Sequence, residues 1–151
     1  LTSVATDSLQ KVALALNVET SYFFANPTMK NSVIIKHYDK QVMKIDNERY
    51  ISYLFSPNAT DKEMMPRIID ILPCITSESL AQYQHDGEEF IYVIEGTLTM
   101  FINGQSYELY PGDGAHYNSQ TIHNYANYTT KMVRILEVSI PNYYNESKKE
   151  R

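Results

Sequence analysis

An all-β architecture, an antiparallel sandwich or barrel behind a short N-terminal helical segment, is what this sequence predicts. Three observations carry that expectation. The hydrophobic period changes from three-and-four spacing to short β-prone runs beyond Pro27. About ten such runs follow one another with glycine, proline and Asx punctuation. The turns between them, Gly96 and Asn103-Gly104 above all, are too short for helical crossovers.

Residues 6–24 read as helical, with Leu9, Val12, Ala13 and Leu16 on one face and Thr6 or Asp7 as cap. Asn17 breaks that pattern, and Asn26-Pro27 ends the segment. So short a helical piece has no core of its own and must dock on something. Strands are then expected at Val33-Ile34-Ile35, over residues 41–45 and over 50–55. Ser56-Pro57-Asn58 reads as a turn, residues 61–65 as one helical turn, and 68–75 as a further strand bounded by Pro66 and Pro73. The remaining strands are expected over 79–85, 89–95, 97–102, 105–110, 114–117, 120–126 and 131–139.

The 151 residues fit one domain with a short extra piece. Thirteen Lys and Arg against eighteen Asp and Glu give a net charge of −5, and no basic patch offers itself to a nucleic acid. Cys74 is the sole cysteine, which excludes an internal disulfide or a Cys-based metal site and favours a reducing, cytoplasmic setting. No apolar run approaches the roughly 18 residues of a membrane helix. A phosphate-binding glycine loop and a dinucleotide fingerprint are both missing.

The candidate site lies between His85 and Asn127. Tyr83 and His85 share a strand face by period two, and Glu89 returns towards them after the Asp86-Gly87 turn. His123 arrives later on a neighbouring strand. Two neutral imidazoles and one carboxylate suit a divalent ion with positions left for water or a ligand. The same residue types are accounted for more simply by a hydrogen-bonded turn histidine, a solvated glutamate and an ordinary strand histidine. His116, just after Gly112-Asp113-Gly114-Ala115, approaches the same region but ranks below His123; His37 reads as a surface residue.

With these residues in view, the chain resembles the cupin superfamily. His85-Asp86-Gly87-Glu88-Glu89-Phe90-Ile91-Tyr92-Val93-Ile94-Glu95-Gly96 resembles its first motif. Gly104, Leu109-Tyr110-Pro111-Gly112-Asp113, His123 and Asn127 resemble the second. The Gly-Glu-Glu-Phe variant is similar to the cupin domain attached to helix-turn-helix regulators of the XRE (Cro/repressor-like) class. Residues 8–18, running on to Tyr22-Phe23-Phe24, resemble the closing helices of their DNA-binding domain.

The resemblance implies a cupin-type double-stranded β-helix, a jelly-roll barrel, over residues 27–145. Residues 1–26 would be the remnant of a helix-turn-helix domain and linker, and 146–151 a charged tail. It implies a metal held by His85, Glu89 and His123, with zinc, nickel, manganese and iron all open. The position of a further family histidine is Tyr83, a poor ligand while protonated, which would cap the pocket or bond a ligand instead. Tyr83, Tyr92, His116 and His123 are the expected ligand-binding residues.

The expected role is the sensory and dimerising half of a transcriptional regulator, with no catalytic residue. It would bind an unidentified small-molecule effector and form a homodimer with no membrane attachment. It would meet DNA only through a domain outside this chain, of roughly 40–60 residues ahead of Leu1. The rival is a stand-alone metal-dependent enzyme, a dioxygenase, isomerase or decarboxylase, with Tyr83 or Tyr92 as acid or positioning donor.

Overall fold

The computed structural model of the chain describes residues 11, 13–17, 33–46, 49–56, 59, 62–74 and 81–142. Lys11 and residues 13–15 are helical, and the helix closes at Asn17, whose φ of +54° and amide bond to the Leu14 carbonyl form a left-handed end. Ala13 is buried, whereas Leu16, expected on the docking face, is largely exposed beside Leu14. The rest of the expected 6–24 segment, the tail 146–151 and the linker to Pro27 lie outside the described residues, as do most of the residues at the boundary of the first expected domain.

Among the described residues, nine strands follow a 3-10 turn at His37–Asp39: β1 Gln41–Asp46, β2 Tyr50–Leu54, β3 Met65–Ile71, β4 Glu88–Glu95, β5 Leu98–Ile102, β6 Gln105–Leu109, β7 Gly114–Asn118, β8 His123–Ala126 and β9 Val133–Ile140. They form a six-stranded sheet in the order β1-β2-β3-β9-β4-β7 and a three-stranded sheet β6-β5-β8. Every pairing is antiparallel. This is the two-sheet cupin fold the sequence predicts.

Three expectations are corrected. Val33, Ile34 and Ile35 are not a strand; they run irregularly towards the 3-10 turn at His37–Asp39. The strand expected over 68–75 begins at Met65 and ends at Ile71, replacing the helical turn expected at 61–65. Pro66 is tolerated because it stands just beyond the Leu54–Arg67 pair that ends the β2 ladder, and its carbonyl still accepts the Phe55 amide. The strand expected at 79–85 reduces to a single bridge in which Tyr83 and His123 exchange amide–carbonyl bonds of 2.9 and 3.0 Å. Residues 75–80 lie outside the described set.

Period-two alternation turns one row of each strand inward. Ile69 and Ile71 of β3, Ile91 and Val93 of β4, and Val133 and Ile135 of β9 meet Leu98 and Met100 of β5 in one core. Full burial of one such side chain contributes about 1.5–3 kcal/mol. The apolar rows do not continue to the other end of the barrel. One register step beyond Ile69–Ile135–Val93 come Arg67–Glu137–Ile91–Ala115, and the next is Met65–Ser139–Glu89–Tyr117. Asn127 joins the two sheets, donating to the Ile71 and Lys131 carbonyls at 2.8 and 2.7 Å, while its backbone carbonyl accepts the Cys74 amide. Its match to the second motif is thus structural. No helix among the described residues is long and apolar enough to cross a membrane.

The turn before β4 allows only glycine at one point. Gly87 has φ +104°, and a Cβ there would lie 1.8 Å from the Ile140 carbonyl oxygen. Gly104 has φ +77° with open space around it. Gly104→Ala is therefore expected to cost about 1–2 kcal/mol, the left-handed backbone penalty alone. Gly87→Ala is expected to cost clearly more, through the overlap with backbone. Urea unfolding of both variants measures this, and equal losses would contradict the close approach of Gly87 to β9.

Candidate metal centre

Glu89 lies one inward step from Ile91 on β4 and is 7 % exposed. A carboxylate in that position needs partners on both oxygens. The Nε2 of His85 lies 3.0 Å from Oε1, and the Nε2 of His123 lies 3.3 Å from Oε2. The Tyr117 hydroxyl donates to Oε2 at 2.6 Å. Sheet register produces this meeting: Tyr117 faces Glu89 across the β4–β7 ladder, and His123 comes from β8 in the opposite sheet. The two imidazoles stand edge to face, 5.3 Å between centroids, and Tyr117 lies 4.9 Å from His123.

The other ring nitrogens are held by backbone. His123 Nδ1 is 2.6 Å from the Thr121 carbonyl, and His85 Nδ1 is 3.1 Å from that of Asp86. A carbonyl accepts only, so both Nδ1 atoms carry the proton and both Nε2 atoms face Glu89. This is the second-shell arrangement that prepares an imidazole as a ligand. One ligand atom from each of His85, Glu89 and His123 lies within 4.8 Å of the others. Two donors about 2.1 Å from one ion and at right angles stand about 3.0 Å apart. The observed separations of 3.0 and 3.3 Å match that spacing. The donor set fits a divalent metal ion. The His85 side chain is 29 % exposed and that of His123 5 %, so the site opens on the His85 side.

In the metal-free protein, protons take the place of the ion. Burial works against a charged His123, but the bonds to Glu89 and the Thr121 carbonyl outweigh it and raise its pKa above the usual 6.5. Burial likewise favours neutral Glu89, yet the bonds from His123 and Tyr117 bring its pKa below the usual 4.5. Burial, then the Glu89 charge, push the Tyr117 phenol upward, so it remains a donor.

Below this level lies a second polar layer. Arg67 is ion-paired with the deeply buried Glu137, whose other oxygen accepts the Tyr125 hydroxyl at 3.3 Å. Burial raises the Glu137 pKa against the pull of Arg67. Tyr117, Arg67, Glu137, Tyr125 and Ser139 were not among the expected site residues. Tyr117 alone left a signal, since it stands three residues after the glycine that opens β7, in the strand's inward phase opposite Glu89.

The expected ligand-binding residues part company. Tyr83 bonds His123 through its backbone and its side chain is more than half exposed. Tyr92 and His116 occupy the opposite phase of β4 and β7, on the outer face. There His116 stacks edge-on with Phe90 and lies 3.6 Å from Glu88.

Comparison with known proteins agrees with this architecture. The family described as Cupin domain matches residues 76–139. The HTH-type transcriptional regulator PuuR of Escherichia coli is 26 % identical over 141 residues, 92 % of this chain and 74 % of the regulator. Quercetin 2,3-dioxygenase of Bacillus subtilis is 39 % identical over 56 residues, 36 % of this chain and 17 % of that enzyme. Among solved structures, the Cupin_2 domain of an XRE family transcriptional regulator from Enterobacter cloacae superposes with a TM-score of 0.53 at 22 % identity, over 61 % of this chain and 96 % of that one. Hydroxypropylphosphonic acid epoxidase from S. wedmorenis superposes with a TM-score of 0.59 at 17 % identity, over 91 % of this chain and 76 % of that one.

The chain therefore carries a cupin-fold domain resembling the cupin domain of an XRE-family regulator, and it is similar to metal-dependent cupin enzymes as well. The expectation of a non-catalytic chain is corrected. A clustered set of three candidate metal ligands, together with local similarity to quercetin 2,3-dioxygenase over 36 % of the chain, places catalysis on at least equal footing.

The shifted pKa values set the pH behaviour of chelator-treated protein. The His123 contribution to stability is complete below 6.5 and is lost as pH rises through its raised pKa. The Glu89 contribution is complete above 4.5 and is lost as pH falls through its lowered pKa. The metal-free melting temperature is expected to decline as pH rises above about 6.5, and His123→Ala to flatten that decline. An unchanged slope in the variant would contradict the His123–Glu89 coupling.

Proposed function

We propose that this chain is the metal-holding domain of a non-haem enzyme acting on a small molecule, with His85, Glu89 and His123 as its protein ligands. The observation that carries the reading is the pair of imidazole Nε2 atoms, each presented by a backbone-anchored Nδ1, converging on one buried carboxylate. Two histidines and one carboxylate with open positions are the ligand set of iron(II) oxygenases, and iron(II) is the ion proposed. Such an ion supplies Lewis acidity and, with dioxygen, redox chemistry.

The protein's own part is positional. Tyr117 holds Glu89 Oε2, and the Thr121 and Asp86 carbonyls keep both histidines in one tautomer. The apolar rows of Ile91, Val93 and Ile135 exclude water from below. The open His85 side admits substrate. Local similarity to a quercetin dioxygenase supports the enzyme class and leaves the substrate open.

A second reading is favoured by one observation, the likeness to the PuuR regulator along 92 % of the chain. Under it the same pocket senses an effector in a cytoplasmic homodimer, Tyr83 caps the pocket, and a DNA-binding domain outside residues 27–145 reads the operator. The effector must then bind one arrangement of the dimer better than another.

Reconstitution with Fe²⁺ under anaerobic conditions, followed by elemental analysis, tests the proposal. Metal is expected at stoichiometric level in the wild type and reduced at least about tenfold in affinity in the His123→Ala/Glu89→Ala double variant. Dioxygen uptake on adding a small-metabolite extract, absent from that variant, is the outcome expected of the enzyme. No metal above the double variant with Zn²⁺, Ni²⁺, Mn²⁺ or Fe²⁺ overturns the metal reading. Metal without uptake, joined to ligand-dependent operator affinity in a full-length protein, favours the sensor.

A further inference from the structure

Among the described residues, three buried side-chain nitrogen or oxygen atoms have no hydrogen-bond partner: Arg67 Nε, Ser119 Oγ and Ser139 Oγ. Two of them belong to the inward rows beside the metal centre. Ser139 is fully buried on β9 and stands between Glu89 of β4 and Met65 of β3 in register. Arg67 lies two residues along β3 from Met65, diagonal to Ser139, within reach of a long side chain. Ser119 belongs instead to the turn that carries His85, whose amide bonds its carbonyl.

A buried donor without an acceptor weakens a fold, and a native structure that retains two on adjacent strands, one register step apart, calls for an explanation. Both atoms are donors: Arg67 Nε–H has no acceptor capacity, and a serine hydroxyl donates readily. The Arg67 terminal nitrogen is already engaged by Glu137, which fixes the guanidinium plane and leaves Nε as its spare donor. The missing partner is thus an acceptor.

The charge of the layer says what kind. With a divalent ion at the triad, the ion and Arg67 outweigh Glu89 and Glu137, and one net positive charge remains if the imidazoles are neutral. A protonated Glu137 leaves more positive charge, not less. An anionic ligand therefore gains from both the field and the two donors.

We propose that Ser139 Oγ, level with Glu89, and Arg67 Nε, one register step below it, form an anion-receiving station beside the triad, which binds a carboxylate oxygen of a small monoanionic acid ligated at the metal centre. The station orients the ligand; neither residue enters the first coordination sphere. This rests on the metal reading above, and it names the ligand class which that reading leaves open.

Cobalt(II)-loaded protein provides the test, since its visible absorption reports ligand entry independently of turnover. Pyruvate, lactate and benzoate are titrated as carboxylate probes, with acetone as the neutral control. Saturable spectral change is expected with a carboxylate and not with acetone. Ser139→Ala and Arg67→Lys, the latter keeping the charge opposite Glu137, are each expected to weaken carboxylate binding by about tenfold. Both should leave Co²⁺ affinity within about twofold, because neither is a ligand.

Ser139→Ala removes a hydroxyl with no partner, so its melting temperature should equal or exceed that of the wild type, which keeps folding out of the comparison. Carboxylate affinities unchanged in both variants, equal response to acetone, or no response to any of the three acids overturns the station while leaving the metal centre standing. Absence of a cobalt spectrum overturns the metal reading and this inference with it.

Discussion

Burying a carboxylate inside a β-barrel is costly unless its oxygens are met, and Glu89 is met by two imidazoles and a phenol drawn from three separate segments. That requirement organises the polar end of the molecule. It needs β7 beside β4 to bring Tyr117, β8 in the opposite sheet to bring His123, and the Gly87 turn to fold His85 back. The first two are long-range products of sheet order, and the third is a local turn. The apolar end, from Ile69 to Val133, holds the two sheets at the spacing at which the groups meet.

A second consequence follows from strand periodicity. Inward rows are shared by Ile91 and Glu89 on β4, and by Ile135, Glu137 and Ser139 on β9, so the interior changes from apolar to polar within one register step. A ligand at the triad thus has rigid strands beneath it rather than loops. The Arg67–Glu137 pair forms the boundary. Pairing satisfies each charge, and removing one partner alone would leave the other buried and exposed to its full desolvation cost, about 3–5 kcal/mol in comparable pairs.

The fold was legible where local signals are strong. The Asn103-Gly104 hairpin places β5 against β6, and the runs at β1 and β2 appear almost where their β-branched and aromatic residues put them. Val33-Ile34-Ile35 shows the limit, because β propensity alone does not make a strand there. His85, Glu89 and His123 were legible by residue type and motif. Tyr117, Ser139 and Arg67 were not, since only the register of distant strands turns an ordinary tyrosine, serine and arginine into neighbours of Glu89. Period two, had it been carried through from Glu89, would have set Tyr92 on the outer face; His116 follows from its pairing with Phe90. Function was least legible, for a metal-ready cupin pocket serves catalysis and sensing with the same three ligands.

The central claim is that both histidines present Nε2 to the buried carboxylate, ready for an ion. Long-range nitrogen–proton NMR of the imidazoles, recorded before and after adding Zn²⁺, measures this directly. The account predicts Nδ1 carrying the proton in both His85 and His123, with both Nε2 signals shifting on metal addition. A neutral Nε2–H tautomer in either histidine that persists unchanged through the titration would contradict it.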